Sequence, residues 1–195
     1  MKMVAVNTIE SSFLSCERDL STIIEMLFLK QKPHSDVLKK LLVVTNKDCL
    51  TNSADYQNII NNKSIADLIN EGYIRNVPKL EIDKHIKNYI LITFTNFEEN
   101  NTNKAFRDCM INFDIICHQS NWTLDNFALR PIKILGYIDG ILNGKRLAGI
   151  GTLQFAGADI ILLDNELMGY TISFRAIHST LPSTGGDRSI SVTPR

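Results

Sequence analysis

The ten residues CMINFDIICH, 109–118, decide the fold. Cys109, Ile111, Phe113, Ile115 and Cys117 alternate with Met110, Asn112, Asp114 and Ile116. A period of two puts the first set on one face of an extended chain, the pattern of a half-buried strand. Upstream, residues 89–97 are rich in β-formers, with Ile90, Ile92 and Phe94 on one side. The stretch between, 96–104, is dense in Asn and Glu and predicts an exposed loop, so the two strands form a hairpin with a long polar tip.

Downstream, LRPIKILGYIDGILNG (129–144) spaces Leu129, Ile132, Leu135, Ile138 and Leu142 three or four apart. That predicts a helix with one apolar face. Asn121 or Asp125 is positioned to cap it, Pro131 falls early enough to be tolerated, and Asn143-Gly144 ends it. Residues 152–159 and 160–164 read as extended. Residues 168–177 alternate again, with Tyr170, Ile172, Phe174 and Ala176 on one side.

Before the hairpin the pattern is helical. Residues 8–30 carry Phe13, Leu14, Leu20, Ile24, Leu27 and Phe28 at helical spacing, with Thr8 or Ser11 as cap and Pro33 as terminator. Ser35 is expected to cap a second helix running from Asp36 into residues 41–44. Residues 46–53 read as turns, Ser64 as the cap of a helix over 65–70, and Gly72 as its stop. The chain thus divides into a helical segment (1–77), a core (78–180) and a tail (181–195) of Ser, Thr, Gly and Pro with little to bury. The expected class is α+β: an antiparallel sheet, one main helix packed across it, and an N-terminal helical annex.

At 195 residues the chain suits one domain with such an annex and can bury a core without disulfides or metals. Lys and Arg total 21 and Asp and Glu 21, so bulk charge offers no pull toward nucleic acid or an anionic membrane. No apolar run is long enough to cross a bilayer, since Lys133, Gly136 and Asp139 interrupt the best candidate. Glu10, Glu17 and Asp19 come too early for a signal peptide, so synthesis and assembly in a cytoplasm are expected. Cys16, Cys49, Cys109 and Cys117 include no C-x-x-C pair and are expected to be free thiols.

No residue set meets the demands of a reaction. Cys117 and His118 point to opposite faces of a strand, and Cys109 meets His118 or His178 only if the fold joins them. His34, His85, His118 and His178 are scattered without metal-ligand spacing. Gly149-Ile150-Gly151 precedes a strand, and Gly140 stands one residue too close to Gly144 for a phosphate loop. Asp108 and Asp114 share a strand face with Met110 and Ile116, which reads as a wet sheet face rather than an acid–base pair. The expectation is therefore no catalytic residue, no cofactor and no metal. Trp122, Phe127 and Arg130, around the start of the main helix, are residue types favoured both as interface anchors and in local packing. Arg107 and Arg175 fit a channel lining or ion pairs across a subunit boundary.

The order of these elements resembles the tail terminator and neck (head–tail joining) proteins of tailed bacteriophages. The strand CMINFDIICH, the helix LRPIKILGYIDGILNG, the spacer KRLAGIGTLQFAG (145–157) and the closing strand GYTISFRAIH (169–178) carry the likeness. PHSDVLKKLLVV (33–44) and INEGYIRNVPKLEI (69–82) add to it, so that it spans residues 13–178. The resemblance implies a virion structural protein at the head–tail junction, forming a homo-oligomeric ring of six or twelve copies with a central channel. It implies portal, adaptor or tail-tube proteins as neighbours, DNA passing through without sequence-specific binding, and no membrane. A portal-bound adaptor of a short-tailed phage is the nearest alternative, and a small soluble enzyme or regulatory domain is one of another class. The candidate subunit-interface residues are Phe97, Trp122, Phe127, Arg130, Arg175, Arg188 and Arg195. The loop 96–104 and the tail are the reaching elements, and addition of a tail to an exposed sheet edge is one available mode.

Overall fold

The computed structural model describes residues 8–29, 33–76, 87–101, 106–147 and 151–179; the side chains of 8–15, 106 and 177–179 lie outside that description, as does the tail. The order is α1 (Thr8–Phe28), α2 (Pro33–Val43), α3 (Gln57–Asn61), α4 (Ile65–Asn70), β1 (Ile74–Arg75), β2 (Asn88–Glu99), β3 (Phe106–His118), α5 (Arg130–Leu142), β4 (Gln154–Leu162) and β5 (Leu167–Ser179), with two single 3-10 turns between β3 and α5. The fold is α+β. Its sheet has the order β1-β2-β3-β5-β4 and is antiparallel except for β1, which pairs parallel to β2.

The alternation in β3 works as the sequence implies. Cys109, Ile111, Phe113, Ile115 and Cys117 are buried, and the register sets Ile111 opposite Phe174 and Phe113 opposite Ile172. Phe113 and Phe174 meet edge to face, 5.8 Å between centroids. One apolar cluster joins this face to Leu27 and Phe28 of α1, Leu38, Leu41 and Leu42 of α2, and Ile134, Ile138 and Leu142 of α5. The helices thus cover a single face. Each large aliphatic or aromatic side chain so buried contributes about 1.5–3 kcal/mol. The cluster runs through the helical segment and the sheet alike, and β1, from the end of that segment, is itself a strand of the sheet.

Gly169 lets β5 lie close to β3. A Cβ there would stand 1.7 Å from the Ile115 carbonyl oxygen. Elsewhere Ser64 and Asp67 form a reciprocal capping box on α4, and Gly72 (φ +73) follows its end, as expected.

Several local expectations are corrected. Pro33 begins α2 instead of ending α1, and Ser35 lies inside that helix, its hydroxyl donating to the Phe28 carbonyl at 2.7 Å. Proline suits a first turn because the N–H it lacks would have no partner there. Neither Asn121 nor Asp125 caps α5; its N-cap is Leu129, without a side-chain bond. The buried face of α5 is Pro131, Ile134, Ile138 and Leu142, while Leu129 and Ile132 are exposed. Residues 154–162 form one strand. β2 continues to Glu99 through a register shift between Thr95 and Glu98, so the first part of the expected loop is strand. Nothing in the sequence pattern marks α3 or β1.

Candidate assembly surface

Arg130 opens α5, yet it is fully buried, and among the described residues its charge meets backbone carbonyls instead of a carboxylate. Its Nε donates to the Asn121 carbonyl at 2.7 Å, and Nη1 to Leu41 and Val44 at 2.8 and 2.7 Å. Nη2 donates to Thr45 at 3.2 Å and to Asn46 at 2.8 Å. The four carbonyls of Leu41, Val44, Thr45 and Asn46 belong to the end of α2 and the turn after it, where helix geometry leaves C=O groups without partners and the macrodipole is negative. Asn88 adds weaker bonds to Leu41 and Leu42 and accepts from Asn121. A buried guanidinium is tolerated because its donors are used. Arg130 is therefore a clamp between α5 and α2, which corrects its assignment to a subunit surface.

The segment that leads to Arg130 is a braced turn. Leu124 N–H donates to Ala128 at 2.7 Å, Arg130 N–H to Trp122 at 2.8 Å, and Thr123 bridges Leu129. Asp125 ties the turn to residues 47–51: its N–H donates to Lys47 at 3.1 Å and its carboxylate accepts from Thr51 at 2.8 Å. At the tip Asn126 and Phe127 both have φ +59. Asn tolerates that region; Phe pays about 1–2 kcal/mol for it. Phe127 is 95% exposed. The turn also borders a cleft of about 310 Å³, lined by Asn126 and Ala128 with Lys47, Leu50, Thr51 and Lys133 among others.

β4 forms a second apolar surface. It is the end strand of the sheet, and among the described residues no strand pairs with its outer edge. Phe155, Ala158, Ile160 and Leu162 stand opposite Phe174, Ile172, Tyr170 and Met168, so they continue the helix-covered face. They are nevertheless uncovered: Ile160 is 57% and Leu162 69% exposed.

The remaining candidates separate. Phe97 and Trp122 are half-buried against the core, Trp122 tilted over Tyr170 at 6.2 Å between centroids. Arg175 is exposed on the uncovered face of β5, level with Met110 of β3. Arg188 and Arg195 lie outside the described residues. Sequence carries no signal for the exposure of β4, because alternation there looks like that of a covered strand. The signal for Phe127 was Asn126 before it, a residue common where φ is positive.

The described thiols are held protonated at neutral pH. Burial pushes Cys109 and Cys117 up to about 12 and Cys16 to about 11. His118 bonds Ser120 at 2.8 Å and caps the turn that follows it. The side chain of His178 lies outside the description. Among the described residues, no three of His, Cys, Asp and Glu gather as a metal-ligand group, and no helix is long and apolar enough to cross a membrane.

The YomW family model matches residues 35–176, from α2 to β5, and includes the clamp, the turn and β4. The chain belongs to this phage-derived family. No curated protein matches it.

Proposed function

We propose that this protein is a structural ring subunit of the phage head–tail junction, a tail terminator or neck protein that joins capsid to tail around the DNA channel. The reading rests on the phage-derived family and on one observation: Phe127 is held almost fully exposed, in a costly backbone conformation, on a turn fixed at both ends. Large apolar side chains on rigid supports are what subunit contacts use as anchors. A neighbouring copy, seated over Phe127, removes it from water. In this reading the protein performs no reaction and needs no cofactor. Its copies close into a ring of six or twelve, its other neighbours are portal, adaptor or tail-tube proteins, and DNA passes without sequence-specific binding. Arg175 and the wet sheet face are free to meet a neighbour or the channel.

The test is mass. Native mass spectrometry and light scattering on the purified chain, with quantification of copies in virions, should return a closed multiple. A stable monomer absent from particles overturns the reading.

A further inference from the structure

The outer edge of β4 lacks most of the devices that protect a sheet edge. Sequences normally guard such edges with lysine, proline, charges or a bulge. Here one bulge lies between Phe155 and Gly157, and the Phe155 N–H is taken by the Asn143 side chain at 3.2 Å. Beyond them the six residues Gly157-Ala158-Asp159-Ile160-Ile161-Leu162 carry a single charge. Their inner face is apolar and uncovered.

The chain holds one segment that matches. Sixteen residues follow Ser179, the end of β5. Within them Arg188-Ser189-Ile190-Ser191-Val192-Thr193 alternates at period two, and Pro194 closes the run, as proline does at the end of a strand. The little that the tail has to bury, Ile190 and Val192, falls on one face of such a run if it is extended. We infer that the edge of β4 takes residues 188–193 of a second copy of this chain as an added antiparallel strand. With Arg188 opposite Leu162, Ile190 falls beside Ile160 and Val192 beside Ala158, all on the apolar face. Ser189, Ser191 and Thr193 fall on the wet face with Asp159.

Reach decides between the chain's own tail and a neighbour's. Leu162 is level with Met168, eleven residues back from Ser179 along β5. That is about 36 Å at the rise of a strand. The nine steps from Ser179 to Arg188 extend to about 32 Å at most. A tail cannot turn back antiparallel onto its own β4 in this register, but a neighbour's tail can. The contact is head to tail, an interface that closes into a ring when its rotation allows. The inference rests on the ring reading above and names one of its interfaces.

The experiment compares, by native mass spectrometry, the full chain, a chain ending at Asp187, the Ile160→Lys variant and an equal mixture of those two. Circular dichroism confirms that each is folded. The full chain should assemble and each variant alone should be monomeric. The mixture should give dimers, because one partner keeps its edge and the other its tail. If the shortened chain assembles like the full one, or the mixture stays monomeric while the full chain assembles, the tail assignment falls and the ring reading stands. A full chain that stays monomeric, free and in particles, overturns both. Slow exchange in a monomeric full chain at those amides of 157–162 that point away from β5 would mark pairing within one copy and overturn the assignment.

Discussion

The guanidinium of Arg130 donates to the Leu41 carbonyl at 2.8 Å, across 89 positions of sequence. That bond and its companions fasten the first turn of α5 to the last of α2. Arg130→Met keeps most of the volume and leaves buried carbonyls unpaired, so it should lower stability by about 3–5 kcal/mol in urea denaturation. A loss under about 1 kcal/mol would show that the clamp is dispensable.

Gly169→Ala places a methyl group where the Ile115 backbone already lies. β3 and β5 must then separate. The expected cost is about 2–4 kcal/mol, read from the urea midpoint of the purified variant. An unchanged midpoint would mean that the two strands do not approach as closely as described.

Phe127→Gly should act in opposite directions on the two levels of structure. The free chain loses a positive-φ penalty and no core contact, so its stability should rise by about 1 kcal/mol. Assembly should weaken, since the anchor is gone. A less stable free chain would show that the ring of Phe127 packs within its own subunit.

Alkaline pH should destabilise the fold through its thiols. Burial raises Cys109 and Cys117 to about 12, against 9.0 for an ordinary cysteine. Between those values the unfolded chain sheds the protons that the folded chain keeps, so stability is whole below pH 9 and falls as pH rises above it. Thermal melts on either side of pH 9 test this. A chain carrying both Cys109→Ala and Cys117→Ala should show a shallower decline; an equally steep one would assign the effect to other groups.

How much was legible follows from how local each feature is. The strands β3 and β5 carry their period of two in their own side chains, and the capping box of α4 spans three positions, so both could be read directly. β1 is two residues long and exists only because β2 lies beside it. The apolar arc of α5 is wide enough to allow two faces, and the elements packed on it select the one with Ile134 over the one with Ile132. At the candidate surface, residue type marked Phe127 and Arg130 alike. Only the fold separates them, since the partners that bury Arg130 include carbonyls 84–89 positions away.

The clamp also links parts of the chain that are made far apart. A ribosome makes α2 long before it makes residue 130, and until then the carbonyls at the end of that helix must be solvated by water. A chain that stops before Arg130 leaves that helix end without its guanidinium donors. The seat of α2 therefore depends on α5, and one side chain makes two helices far apart in sequence a single mechanical unit.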